Sequence, residues 1–161
     1  MKAHTIRIIF ISSLVVLSTP ISTPAFAQPK SADPIKFRQS AMMFMRWNVG
    51  TIKKQVIKNP QSYNRKQVSA AANAIAAVAN TNLLALFRPG TETGVGWKET
   101  LVKPGLFERP DDAKLYLANL RKEADELARV ADSGDVDMIK PQFSKLFQAC
   151  RACHKNFRKK P

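Results

Sequence analysis

Four stretches of this chain repeat apolar residues in steps of three and four, the spacing that places them on one face of an α-helix. Met42, Met45, Val49, Ile52 and Val56 form the first stripe. Asp33 is placed to cap that helix, Pro34 suits its first position and Asn59-Pro60 stops it, which predicts a helix over about 34–58. The second stripe, from Val68 through Ala71, Ala72, Ile75, Val78, Ala79, Asn82 and Leu83 to Leu86, is rich in alanine and entered through Asn64, predicting a helix over about 64–87. The third starts at Pro110 with Asp111 and Asp112 in its first turn, where carboxylates meet the positive end of the helix dipole. It continues through Ala113, Tyr116, Leu117, Leu120, Ala124, Leu127 and Ala131 to a stop at Ser133-Gly134. The fourth carries Phe143, Phe147, Cys150, His154 and Phe157 on one face. Pro141 either opens this helix or distorts one that starts near Asp135; the expectation is a helix over about 136–158 with an irregular first turn or two.

No sustained alternation of apolar and polar residues competes with this pattern, and no internal repeat is present. Four helices of about 20 residues, each about 30 Å long, predict an all-α fold, an up-down four-helix bundle. One long connection, about 88–109, contains Pro89-Gly90, Gly94, Gly96 and Pro104-Gly105. Trp97, Leu101, Leu106 and Phe107 are expected to anchor it to the bundle as a structural crossover.

Residues 1–27 are a different kind of segment. A basic start (Lys2, Arg7), an apolar run from Ile8 to Leu17 and the small-x-small site Ala25-Phe26-Ala27 describe a secretory signal peptide, so a mature single domain is expected over 28–161. The run is too short to span a membrane, and no later segment reaches the roughly 20 apolar residues that spanning needs. The net charge of +14 loses only Lys2 and Arg7 with the leader. Such basicity suits nucleic acid or acidic surfaces, but an exported protein rarely meets nucleic acid. A positive field that steers an acidic redox partner, screened by salt, fits better.

The chemistry lies seven residues before the C-terminus, in Cys150-Arg151-Ala152-Cys153-His154. This C-x-x-C-H run reads as a c-type haem attachment site. Two thiols three residues apart can each add to a vinyl group on one haem edge, and the histidine beyond them can bring its imidazole under the iron. These are the only cysteines of the chain, and His4 is the only other histidine. One covalent haem c, attached in the periplasm by haem-attachment machinery, is the cofactor expected. Phe87, with Arg88 to Glu92 after it, is placed to border the haem edge, and Phe147 to help bury it.

Three separated segments carry a resemblance: Lys36-Phe37-Arg38-Gln39-Ser40-Ala41-Met42, Pro89-Gly90-Thr91-Glu92, and Cys150-x-x-Cys153-His154-x-x-Phe157-Arg158. Together they resemble the class II c-type cytochromes, the family of cytochrome c′ and cytochrome c-556, over essentially the whole mature chain. The resemblance implies an antiparallel four-helix bundle with one haem c near its end, commonly as a homodimer. It places Arg38 and Gln39 beside the haem propionates and Arg158 on the proximal side near His154. An arginine can form a bidentate pair with a propionate; the ordinary alternative for Arg38 is a solvated surface cation.

Met42 falls where that family faces the distal side of the iron. A thioether ligand there would give a low-spin His154/Met42 haem that carries single electrons between periplasmic redox proteins, the c-556 pattern, and this is the reading the sequence favours. In the c′ pattern the residue only plugs the pocket, leaving an open iron that binds nitric oxide or carbon monoxide. Met45, one turn on, is a minor candidate, since methionines at helical spacing usually fill cores.

Other chemistries fit poorly. A thioredoxin-like enzyme needs its C-x-x-C to open a helix after a strand, a structural zinc site needs a fourth ligand, and no carboxylate pair or partnered histidine suggests an enzyme.

Overall fold

A computed structural model describes residues 32–160. The expected signal peptide lies outside the described residues. The first helix, α1 (Ala32–Ile52), begins slightly before the predicted cap at Asp33, so Pro34 sits inside the first turn, where the missing N–H has no intrahelical partner to lose. Its last turn is a π-helix, Lys53–Lys58, rather than a continuation of α1. This turn aims the buried Gln55 at the next helix: Gln55 Nε2 donates to Gln67 Oε1 (2.7 Å), and Gln55 Oε1 accepts from the Asn64 N–H (2.9 Å).

Helix α2 (Arg65–Ala79) is capped as predicted by Asn64, whose side chain accepts from the Gln67 N–H. It stops eight residues short of the predicted end at Phe87. Asn80 Nδ2 donates to Ala76 O (2.9 Å) and to Asp125 on the third long helix (2.5 Å), while Thr81 Oγ1 donates to Val78 O (2.7 Å). Short polar side chains bonding the backbone in this way compete with the helix ladder. The chain turns and resumes as a 3₁₀ turn, Leu83–Leu86, which still buries Leu83. The long connection contains one short helix the apolar pattern did not reveal, α3 (Gly105–Glu108).

Helix α4 (Pro110–Ser133) has the predicted bounds and ends on Gly134 in the left-handed conformation, φ 80°. Helix α5 (Val136–Phe157) starts on a cap from Asp135, whose carboxylate accepts from the N–H groups of Asp137 and Met138, and it runs through Pro141. Pro141 is exposed, so water can serve the Asp137 carbonyl that its missing N–H leaves free.

The result is an antiparallel four-helix bundle of α1, α2, α4 and α5. The alanine stripe of α2 (Ala71, Ala72, Ala76, Ala79) faces α4, which presents Ala124, Ala128 and Ala131; small residues on both sides let the two backbones approach. Ile52, Val56, Ile75, Leu127, Ile139 and Leu146 fill the main core. A second, smaller cluster of Leu106, Ala113 and Phe157 lies at one end, with Leu84, Phe87, Tyr116 and Cys153 packed against it. Two apolar expectations fail: Trp97 is 63% exposed, and Phe147 of the α5 stripe is 40% exposed. Each lies under a cation instead, Trp97 below Lys36 at 5.6 Å and Phe147 below Lys53 at 5.8 Å.

Gly134 tests how the α4–α5 turn is built. Besides its positive φ, a Cβ there would come within 2.7 Å of the Arg65 side chain. Gly134→Ala should therefore destabilise the fold by about 1–2 kcal/mol, the cost of a left-handed non-glycine residue, read as a lowered urea midpoint with unchanged slope.

Candidate functional site

The antiparallel course of the bundle brings the start of α1, the segment after α2, the start of α4 and the end of α5 to one end of the molecule. Four sequence segments that lie far apart along the chain meet there. Cys150 packs against the main core, as do Ala41 and Met42 of α1. One turn along α5, Cys153 packs against the second cluster together with Phe87 and Tyr116. The two thiols thus mark the junction between the two apolar clusters, and both are free and half-buried. At the far end of the bundle α5 meets the first helix at its π turn, whereas α1 proper has little contact with α5. A flat apolar group held between Met42 on one side and α5 on the other would complete the packing of this end.

The electrostatics suit a tether better than a redox-active thiol. Burial raises the pKa of Cys150, and it pushes Cys153 up to about 11, with the neighbouring Cys150 adding to the effect. Both thiols are protonated at neutral pH, the opposite of the lowered pKa a disulfide-exchange enzyme needs. His154, which follows on the exposed side of α5, has its pKa lowered first by partial desolvation and then by the positive charge of Arg158. Its imidazole is held neutral, the form that binds a metal. Protonated thiols at an apolar junction with a neutral imidazole beside them fit the donor set of a c-type haem: Cys150 and Cys153 would hold it, and His154 would supply its axial nitrogen. Among the described residues no group of three or more histidine, cysteine and carboxylate side chains is arranged to hold a bare metal ion.

Arg38 departs from the solvated surface cation that was its ordinary alternative. It is 3% exposed and spends all four terminal N–H groups within the protein. Nη1 donates to Leu86 O (3.1 Å) and Thr91 Oγ1 (2.8 Å), and Nη2 to Thr91 O (2.7 Å) and Thr100 Oγ1 (2.7 Å). The guanidinium also lies 5.1 Å from the centre of the Phe87 ring. Of its donors only Nε is left for a propionate. Desolvation lowers its pKa and Glu92 raises it in part, and an arginine remains charged throughout.

Gln39 has the same occupation. Its Oε1 accepts from the N–H groups of Trp97 (2.7 Å) and Lys98 (3.3 Å), and its Nε2 donates to Lys98 O (2.9 Å). The loop lies so close to α1 that a Cβ on Gly96 would come within 2.6 Å of Gln39 Oε1. Arg38 and Gln39 therefore hold the long connection onto α1. Its far end is tied to the haem-helix terminus: Val102 bridges Arg158, and the N–H groups of Lys103 and Lys159 donate to Phe157 O (2.9 Å) and Leu101 O (2.7 Å). The Arg158 side chain is exposed beside His154. The apolar pattern gave no sign of Thr91, Thr100 and Val102 as partners in these ties, because all three lie in irregular backbone; only Thr91, in Pro89-Gly90-Thr91-Glu92, carried a motif signal.

The family model for cytochrome c′ matches residues 33–158. This chain belongs to the cytochrome c′ family. It is 47% identical over 131 residues to a cytochrome c′ of Rhodocyclus tenuis, covering 81% of this chain and 97% of the relative. A cytochrome c′ of Allochromatium vinosum is 39% identical over 128 residues, with 80% and 81% covered. Among solved structures, a cytochrome c′ described as undergoing ligand-controlled dimer dissociation superposes with a TM-score of 0.78 at 38% identity, covering 83% of this chain and all of that one. The cytochrome c′ of Alcaligenes xylosoxidans superposes with a TM-score of 0.71 as a carbon monoxide-bound variant, at 28% identity and covering 81% of this chain and 98% of that one. As a ferrous nitric oxide-bound variant it gives 0.72 at 27%, covering 83% and 99%. Haem c is the cofactor of this cytochrome c′ family, and the two cysteines it requires are present.

Arg38→Ala removes a buried cation and leaves the Thr91, Thr100 and Leu86 acceptors without their donors. The expected loss is about 3 kcal/mol, since bonds to charged groups contribute roughly 1.5–3 kcal/mol each and water can replace some of them. Arg38→Lys should recover less than half, because an ammonium cannot match the fork; thermal and urea unfolding of the haem-loaded protein check both.

Proposed function

We propose that this chain is an exported, periplasmic monohaem cytochrome that binds a small neutral gas, nitric oxide or carbon monoxide, on the Met42 side of its haem. One observation carries the reading: Met42 and Cys150 pack against the main core and Cys153 against the second cluster, with His154 next to it on α5, so the C-x-x-C-H run lies at a junction of two apolar clusters. When bound, the haem would supply a redox-active iron able to take a small ligand. Everything else is the protein's own work.

Cys150 and Cys153, both protonated, would hold the group covalently. His154 would supply a nitrogen to the iron; partial burial, with the charge of Arg158 adding to it, lowers the histidine pKa and keeps that nitrogen from being lost to a proton. Met42 is half-buried against Ala41, Met45 and the main core, so its thioether fills space and limits entry to molecules of a few atoms. Phe87 and Tyr116 keep the neighbouring edge apolar, and the Arg38–Thr91–Thr100 clamp holds the segment that carries Phe87. The gas-bound forms of the Alcaligenes relative support this reading over the low-spin His154/Met42 electron carrier that the sequence favoured.

The outer face of α1 supports a homodimer, in keeping with the relative described as a dissociating dimer. Phe37, Met43, Phe44 and Trp47 are all more than half exposed there, and Trp47 stands beside a depression of about 560 Å³ lined by Met43, Gly50, Thr51 and Lys54. Aromatic and methionine side chains on a single exposed face are the composition of an interface centre.

A visible spectrum of the purified protein, oxidised, reduced, and reduced under carbon monoxide, checks the central proposal. The expected result is covalently retained haem, a broad high-spin reduced spectrum and a clear shift with carbon monoxide. A sharp low-spin spectrum indifferent to the gas would instead identify Met42 as a ligand and restore the electron-carrier reading. Met42→Ala should leave the spin state unchanged and speed carbon monoxide binding several-fold; loss of a low-spin signal on this change would overturn the filler role. Trp47→Glu should convert dimer to monomer in sedimentation velocity while the haem spectrum stays the same.

A further inference from the structure

We infer that the C-terminal end of α5 is the docking surface for an acidic one-electron carrier protein, which reduces the haem through the edge beside His154. The inference rests on the haem site proposed above and adds the partner's chemistry and place of contact.

The chain's charges are segregated. All but three of its acidic residues lie between Glu108 and Asp137, on and around α4; none lies in 34–91 and none in 138–160. The ion pairs among the described residues follow the same division. Arg109–Asp112, Lys114–Asp111, Lys122–Glu123 and Arg129–Glu126 all belong to α4 or its first residues. At the end of α5, by contrast, Arg151, Lys155, Arg158, Lys159 and Lys160 surround a cleft of about 270 Å³ whose only other lining residue is His154. Lys103 joins them, held there by a 3.0 Å bond from Nζ to Lys155 O. None of these cations has a carboxylate partner among the described residues.

A helix C-terminus favours a cation or two in its last turn, and solubility favours scattered charge. Neither accounts for six cations of one sign around one cleft, with their mutual repulsion unrelieved. An acidic surface relieves it, and complementary charge across an interface speeds diffusional encounter. The cluster also surrounds His154, so a partner docked there would lie beside the residue that would ligate the iron. One electron leaves the partner's reduced centre, ferric iron becomes ferrous, and no proton transfer is needed.

The test uses the haem-loaded full-length mature protein and flavodoxin hydroquinone, an acidic one-electron donor, as the probe. The rate of haem reduction is followed against ionic strength for three proteins: the parent, a variant with Lys155→Glu, Lys159→Glu and Lys160→Glu, and a control with Lys58→Glu, Lys66→Glu and Lys140→Glu. The control makes the same charge change at the other end of the bundle. At low salt the first variant is expected to react at least about tenfold more slowly than the parent and to lose most of its salt dependence, and the control less than about threefold more slowly. Equal losses, or a larger loss in the control, would overturn the docking site. Amide shifts of the labelled protein titrated with oxidised flavodoxin give a second reading: they should centre on Cys153–Lys160 and Lys103, and shifts centred on α1 or α4 would sink the proposal. Because that measurement does not depend on redox chemistry, absence of covalent haem would defeat the function proposed above without being mistaken for failure of docking.

Discussion

A single buried guanidinium organises the functional end of this cytochrome c′. A charge taken out of water must be fully bonded or it costs several kcal/mol, and Arg38 meets that demand with dipoles, not with a carboxylate. Its four acceptors come from Leu86, at the end of the 3₁₀ turn, and from Thr91 and Thr100, which no regular element holds in register. Once Arg38 is buried on α1, the position of the segment after α2 is fixed, and with it Phe87. Gln39 extends the grip to Trp97 and Lys98, and the Val102–Arg158 bridge carries it to the end of α5. The site thus depends on loop geometry that is enforced by the requirement that a buried cation have no idle donor.

The two halves of the bundle divide the work. Toward the π turn and the α4–α5 corner, Ile52, Val56, Val68, Leu127, Ile139 and Leu146 are packed to near-complete burial, and Gln55, Tyr63 and Asn64 close the connections with specific bonds. This half needs nothing further to be a stable core. Toward the cysteines the apolar residues separate into two clusters, and α1 and α5 are coupled there through side chains of the long connection more than through each other. A rigid half that supports an incompletely closed half is what a cofactor site requires, because the protein must accept a large flat group without first dismantling its own core.

Much of this was legible in the sequence because helices write their buried face at a fixed period. The bounds of α4 and α5 follow from caps that act locally: Pro110, Asp135 and Gly134 each satisfy or refuse a particular backbone group within a few residues. The C-x-x-C-H spacing was equally legible, being a local chemical constraint. Where reading failed, the deciding partner was distant. Helix α2 ends early because Asn80 finds Asp125, a residue on another helix, and Trp97 stays exposed because its backbone and indole are held by Gln39 and Ser40 rather than by apolar contact. Arg38 reads, by the family resemblance, as a partner for a haem propionate; only the fold supplies Thr91 and Thr100.

The loop clamp also bears on the proposed role of Met42 as a filler rather than a ligand. For a thioether to coordinate, its sulfur must reach the iron at a fixed distance, so the helix that carries it must be free to settle against the haem plane. Here Arg38 and Gln39, four and three residues before Met42, pin the start of α1 to the long connection, and Met45, Ile52 and Val56 pin the rest to the core. The position of Met42 is set by protein packing on both sides, and its flexible, polarizable side chain is well suited to fill whatever gap that position leaves. On the gas-binding reading proposed above, an open iron would be the outcome of a helix fixed by other duties, and selectivity for small gases would follow from the volume the methionine occupies.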